Sequence, residues 1–424
     1  MIKHILKIMK SERKSNSWIM LELLLVFVVM WFCYDYLNFM IRRYNQPIGH
    51  DVEHTYVLEF GMKDEYKEQY YSLSRSNETD SIQQLYADDG MLILERIKQM
   101  PYIESACFSQ SALPYGNANS QYGFTIDSIN ESALTRIVSP EYFDVYKINV
   151  RKYPWYDWAN SSANQLIISP DERGLFIKKA VDSVNEVGYG ENNLLRVAGI
   201  ANKLKFIDYQ RYIQMVFLPI DKWATVPSNH DIDISIRVKP NADSDFIYKF
   251  KNDVQDKLDI GPYYFINIRS MEKQREYQIL AYGYTDSIRN VAFVIAFIVI
   301  NVFLGVFGTF WFRTQSRRSE IGLRCAIGSS KRQISSLILV ESLLMLFIIS
   351  IPATIISLFF SFFEVVNQLG VPSVYHNFND LGLFYYISNY LGTMIVLAIM
   401  IFFGTYFPAR QAMNIQPSDA LRAE

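Results

Sequence analysis

Residues 312–334 read FRTQSRRSEIGLRCAIGSSKRQI, a short basic segment set between two long apolar runs. Six of its side chains are cationic (Arg313, Arg317, Arg318, Arg324, Lys331 and Arg332), against the single acid Glu320. Positive charge flanking membrane-crossing runs marks the cytoplasmic side. The segment is therefore expected to be a cytoplasmic loop with internal structure. It is a candidate contact surface for a partner inside the cell.

Four apolar runs reach the roughly 20 residues that a helix needs to cross a bilayer. They cover residues 18–40, 288–312, 334–363 and 384–407. The first is too long for a signal peptide, and its far end is bulky and aromatic, so it is expected to be a retained anchor. Lysine and arginine fix the orientation. The amphipathic segment 1–17 carries Lys3, Lys7, Lys10, Arg13 and Lys14, and the tail 408–424 carries Arg410 and Arg422. The connection 364–383 carries no Lys or Arg. Both termini are thus expected in the cytoplasm, and the polar block 44–287 outside the membrane. Arg42 and Arg43 run against this pattern, but long translocated domains follow charge weakly.

The expected fold class is an α-helical membrane protein with four transmembrane helices and an extracytoplasmic α+β domain. In the outer block, 54–62, 103–110, 165–169, 195–200, 214–218 and 232–238 have strand character, and 81–99 carries an amphipathic helical stripe. The spacing predicts helix over 175–181 and 243–259. A second lobe is expected to be inserted at about 115–225.

A net charge of −2 over 424 residues argues against a nucleic-acid partner. No G-x-x-x-x-G-K-[ST] loop occurs, so ATP is not bound by that route. No H-E-x-x-H or G-x-S-x-G motif occurs, and no catalytic, metal or cofactor site is expected. The five histidines are scattered; His50 and His54, four apart, are read as structural. Cys33, Cys107 and Cys325 fall in three different compartments and cannot pair within the chain. Cys107 is expected to be a buried packing residue.

The loop has its own logic. Residues 317–327 suit a helix, Gly328 suits a helix end that needs positive φ, and Ser330 with Gln333 fits a capping box for the next helix. The pattern is helix, sharp corner, helix. An ordinary basic loop that only fixes topology would not need that geometry. Glu22, Asp35 and Glu341 fall within the apolar runs, where a charge is costly. Glu22 and Asp35 lie near the ends of the first run, within reach of water. Glu341 lies deeper; its simplest reading is a glutamate satisfied by neighbouring helices, and the alternative is a proton or substrate relay.

At residues 318–334, followed by Glu341-Ser342, the sequence resembles FtsX-like, MacB-type ABC transporter permeases. PARQA at 408–412 and PSDALRAE at 417–424 resemble the C-terminus of that family, and VSPEYFDV at 138–145 resembles a segment of the MacB periplasmic domain. The one-plus-three arrangement of spans is similar too. The resemblance implies a permease subunit in the inner membrane, non-catalytic itself, paired with a second permease chain as a homo- or heterodimer. It implies a separate ABC ATPase, since MacB carries its ATPase in the same chain and this sequence does not. It further implies that Arg317, Arg318, Glu320, Gly322, Arg324, Gly328 and Arg332 form the ATPase-coupling loop, with Glu341 a nearby intramembrane charge. ATP hydrolysis would then move the outer domain to export or extract a peptide, lipoprotein or toxic compound, with or without an outer-membrane partner. The alternative is a regulatory scaffold that activates an extracytoplasmic partner, such as a cell-wall hydrolase, and moves no cargo.

Overall fold

The computed structural model describes residues 13–73, 80–116, 120–126, 129–158, 164–172, 174, 178, 186–189, 193–220, 233–254, 257–316, 318–363 and 382–412. The chain divides into two compact units, one built from residues 1–42 and 285–424, the other from 43–284.

The second unit is α+β. Its strands are β1 (Thr55–Met62), β2 (Ile103–Gln110), β3 (Ser120–Ile126), β4 (Ile129–Val138), β5 (Val150–Lys152), β6 (Gln165–Ser169), β7 (Glu186–Tyr189), β8 (Asn193–Ala201), β9 (Met215–Pro219), β10 (Asp233–Val238) and β11 (Tyr263–Ser270). They join one connected sheet among the described residues. Its first part runs β11-β1-β10-β2, every pairing antiparallel. Between β1 and β2 the chain forms helices Asp64–Leu73 and Asp80–Lys98, and between β10 and β11 it forms Phe246–Val254. Helix 80–98 presents Ile93, Leu94 and Ile97, and helix 246–254 presents Phe246, Phe250 and Val254. Ile97 lies three and four residues after Leu94 and Ile93, and the second set is spaced by four, so each set lies on one face of its helix. They close over Leu58, Phe60, Ile234 and Ile236 to make one core.

The second lobe is inserted between β2 and β10. Its strands pair in the cycle β4-β3-β7-β8-β6-β9, and β9 returns to β4 in parallel register from Leu134↔Met215 to Val138↔Pro219. A closed cycle leaves no open edge within it. Alternate residues point inward, and Phe124, Leu166, Ile168, Val187, Leu195, Val197, Val216 and Leu218 fill the interior. Only Ser109↔Val138 and Gln110↔Ile137 pair β2 with β4. A third core holds the lobes together around Cys107, Tyr115, Tyr142, Phe143, Tyr146, Trp158 and Phe217. Cys107 is fully buried there, as expected, and burial pushes its thiol pKa up.

The other unit is helical. Numbering the described helices in chain order, α1 is Arg13–Asn45, α2–α6 are the five shorter helices described within 43–284 (the last two being Phe246–Val254 and Met271–Ala281), and α4 is Tyr142–Val145. Then come α7 (Tyr284–Ser316), α8 (Arg318–Ala326), α9 (Lys331–Phe362) and α10 (Leu383–Ala412). Helices α1, α7, α9 and α10 are each long and apolar enough to cross a membrane. Their inner faces share a core that includes Phe27, Trp31, Val302, Met345, Leu346, Ala353, Leu397 and Ile401. Their outer faces remain apolar, as at Leu25, Phe297, Ile351 and Ile395. A helix apolar all round suits a lipid environment. Where α1 meets α10, Gly392 makes room for Tyr34: a Cβ there would lie 2.1 Å from Tyr34 Cζ, so a larger residue would need the ring to move.

Two sequence expectations need correction or limits. Asp35 does not reach water; it is buried against α10, because Tyr385 and Asn389 supply hydrogen bonds that replace solvent. Pro408, in the PARQA segment, lies inside α10, whose last turns continue through it. The predicted helix at 175–181 falls outside the described residues apart from Lys178, as do the connection 364–381 and the tail 413–424.

Candidate functional site

The corner between α8 and α9 is the local structure that the opening segment encodes. Helix α8 ends where Ile327 N–H donates to Leu323 O at 3.0 Å and Ser329 N–H donates to Arg324 O at 2.9 Å. The second bond spans five residues and is the mark of a Schellman ending, which requires a left-handed residue just before its donor. Gly328 supplies it, with φ of 102°. The next helix starts two residues later. Gln333 N–H donates to Ser330 Oγ at 3.3 Å, and Ser330 N–H donates to Gln333 Oε1 at 2.8 Å, completing the capping box. These bonds, between Leu323 and Gln333, satisfy backbone groups at both facing helix ends, so the turn is held by its own bonds.

Packing gives the corner an inside and an outside. Ile321, Gly322, Ile334 and Ile338 are buried, and Ile321, Ile334 and Ile338 belong to the same core as Ala409 of α10. Leu323 and Ile327, one helical turn apart, face outward, with Ile327 78% exposed. Arg332 and Gly328 are exposed and Arg324 is half-buried. Arg318 and Glu320 lie on α8, and Arg317 falls outside the described residues. Arg317 apart, the structure thus brings the named loop residues to one helix-corner-helix element. The exposed pair Leu323 and Ile327 was not singled out in the sequence as a contact surface; its signal was an apolar i, i+4 pair on the face opposite Ile321. Glu341, on α9, stands apart from the corner and is buried at 3% exposure. It lies between buried Ile338 and Met345 on its own helix.

A polar cluster joins α1 to α10. Tyr385 O–H donates to Asp35 Oδ1 at 2.7 Å, and the Asn389 amide donates to the same oxygen. Asn38 Nδ2 donates to Asn389 Oδ1 at 2.6 Å. Arg42 donates to Asn38 Oδ1 and Ser388 Oγ, both at 3.1 Å, and its guanidinium stands 5.1 Å from the Tyr385 ring centre. The cationic Arg42 that breaks the charge rule is therefore tied to this cluster.

In the 43–284 unit, one loop contacts residues near both ends of the unit. Lys205, buried at 1% exposure, donates from Nζ to the carbonyls of Arg43, Gln46 (3.1 Å) and Asp208 (3.2 Å). Burial, with Arg43 nearby, pushes its ammonium down to about 8. Tyr209 stacks between Tyr44 (5.3 Å) and Tyr284 (5.2 Å). Arg275 grips both carboxylate oxygens of Asp208. Arg43 pairs with Glu172 at 2.8 Å. His50 is half-buried and packs its ring 5.5 Å from Tyr115, and desolvation pushes its imidazole down to about 4. His54 bonds Asp243 Oδ2 at 2.8 Å, so the two histidines serve separate places in the fold. Nothing in the sequence distinguished Lys205 from Lys203; the difference is which one the loop turns inward.

Residues 292–417 match the family described as FtsX-like permease C-terminal. That match spans most of α7, all of α8 and α9, and α10. The match takes in the loop that carries the resemblance and PARQA at 408–412, and ends at residue 417, where the PSDALRAE tail begins. No curated protein matches the chain. Among solved structures, the extracellular domain of the noncanonic ABC-type transporter YknZ from Gram-positive bacteria is 13% identical, covering 50% of this chain and 100% of its own, with a TM-score of 0.30. The periplasmic region of MacB from Actinobacillus actinomycetemcomitans is 11% identical, covering 53% and 93%, also with a TM-score of 0.30.

Proposed function

We propose that the chain is the permease subunit of an ABC transporter of the MacB and FtsX-like type, coupling ATP hydrolysis in a separate ATPase subunit to motion of its outer unit. The observation that carries this reading is the α8–α9 corner. A loop that only fixed topology would have no use for a Schellman ending and a capping box back to back, which hold a short helix at a set angle. That helix presents Leu323 and Ile327 outward beside basic residues, an apolar knob with a charged rim. Such an anatomy suits a protein contact.

In this reading the corner docks on a cytoplasmic ATPase. Nucleotide-driven movement reaches the spans through the buried contacts of Ile321, Ile334 and Ile338. The outer unit receives it at the loop that carries Lys205 and Tyr209, where the residues following the first span and preceding the second are held together. Work is done outside the membrane, by a domain in which neither β-lobe holds a motif for catalysis. Both termini lie in the cytoplasm and the 43–284 unit outside it. The chain acts without a cofactor of its own.

The test is purification of the full chain from native membranes, with identification of the proteins that accompany it and assay of ATP hydrolysis. An ABC ATPase and its activity are expected with the chain, and none from the chain alone. Purification under mild conditions without any ATP-binding protein would overturn the reading. Orientation is tested by impermeant thiol labelling: cysteines at Ser228 and Ser373 should label from outside, and those at Ser319 and Ser418 only after the membrane is opened.

A further inference from the structure

Arg42 is a cation at the end of a membrane helix where the charge rule disfavours one. The apolar run of α1 begins at Trp18, and Arg42 lies 24 residues further on, about 36 Å of helix. The hydrocarbon core is about 30 Å thick, so a helix that starts in one headgroup band brings residue 42 to the other. Lipid phosphates lie in that band.

The guanidinium there is held in place. Its Nε donates to Asn38 Oδ1 and its Nη2 to Ser388 Oγ, both at 3.1 Å, and it stands 5.1 Å from the Tyr385 ring centre. Asn38 is itself fixed by its 2.6 Å bond to Asn389. These contacts orient the group but do not neutralise it, because both acceptors are uncharged. Asp35, the acid of the cluster, accepts from Tyr385 and Asn389. Among the described residues, no carboxylate lies within ion-pair distance of Arg42, whereas the next residue, Arg43, is paired with Glu172. A guanidinium has five N–H donors. Arg42 uses two of them on these neighbours, and its side chain is exposed.

The spare donors sit on the two Nη atoms, the fork that matches two oxygens of a phosphate group. An arginine already oriented loses little freedom when it binds. Ile41, beside Arg42, and Leu383 and Phe384, beside Tyr385, are each more than half exposed. A soluble anion gains nothing from such neighbours. A phosphate that carries acyl chains gains apolar contact as well as charge.

We propose that Arg42 binds the phosphodiester of an anionic phospholipid, whose acyl chains lie against the apolar ends of α1 and α10. A headgroup bound there supplies the counter-charge that the protein does not. The inference goes beyond the transporter reading. It needs neither an ATPase nor a second chain, so its failure leaves that reading untouched.

The test is native mass spectrometry of the full chain in detergent, titrated with phosphatidylglycerol and, separately, phosphatidylcholine. Phosphatidylglycerol should bind at the lower concentration. Arg42→Gln should weaken its binding about fivefold, the effect of one cation near an anionic headgroup. Arg42→Lys keeps the charge but loses the fork, and should fall between. Arg289→Gln removes an exposed cation that is already paired with Asp286, and should change nothing. If Arg42→Gln does not fold, Ser388→Ala, which leaves the guanidinium but frees one of its anchors, should still weaken the adduct about threefold. Excess inorganic phosphate should not displace the lipid. Equal binding by wild type, Arg42→Gln and Ser388→Ala, an equal loss in Arg289→Gln, or displacement by inorganic phosphate would overturn the proposal.

Discussion

Tyr385 donates its phenolic hydroxyl to Asp35 Oδ1 at 2.7 Å, linking the first membrane helix to the last. The Asn389 amide meets the same carboxylate, and Arg42 lies over the Tyr385 ring. A buried carboxylate with two donors and a nearby guanidinium is satisfied, whereas its partners are stranded if it is removed.

Asp35→Leu should therefore weaken the α1–α10 contact by about 1 kcal/mol, within the roughly 0.6–2 kcal/mol measured for polar contacts between membrane helices. Asp35→Asn keeps an acceptor for Tyr385 and should cost less. The check is the denaturant resistance of the full chain in detergent, compared across wild type and both variants. Equal resistance of Asp35→Leu and wild type would show that the cluster does not hold the helices together.

Lys205→Met keeps an unbranched stem but removes the donor that three carbonyls share. Those of Arg43, Gln46 and Asp208 are then left in a buried site, at a cost of about 3 kcal/mol. Faster hydrogen exchange should appear first across residues 203–213. Unchanged exchange there would mean that water replaces the ammonium.

His50 predicts an acid dependence. Its folded pKa of about 4 lies below its ordinary value of 6.5, chiefly through burial, with Arg136 and Arg275 pressing it down and Asp208 and Asp51 opposing. Between these values the unfolded chain binds a proton that the folded chain does not, so stability rises with pH through this window. As pH falls from about 6.5 to 4, the outer unit should lose on the order of 3 kcal/mol through this residue. His50→Phe should flatten that part of the pH profile of urea unfolding. A profile of unchanged slope would assign the acid sensitivity to other groups.

Much of the α8–α9 corner was legible because its signals are local. Gly328 and the Ser330–Gln333 pair act within a few residues, and sequence order places them side by side. The strands of the outer unit were readable where both faces are buried, as in QLIIS at 165–169. Strand β7 was missed: EVGY is four residues long and its partners β3 and β8 are distant choices of the chain. The closure of the inserted lobe through β4 and β9 was equally hidden, because parallel register leaves no turn signature between its strands. Asp35 was misjudged since its partners lie some 350 residues away. Lys205 was invisible for a related reason: a lysine in sequence looks solvated until a ring of carbonyls is folded around it.

The central claim is that the α8–α9 corner docks the ATPase, and the most direct measurement is co-purification of the ATPase with corner variants of the full chain, alongside ATPase stimulation. Gly328→Val forces a β-branched residue into a φ of 102°, a conformation that such residues avoid. Glu320→Lys reverses the loop's single acidic charge. The account predicts that both variants reach the membrane and keep the outer unit folded, while ATPase recovery and stimulation fall at least about tenfold, the effect of some 1.4 kcal/mol at a contact. Full recovery and full stimulation with both variants would contradict it and leave the corner as a topology signal alone.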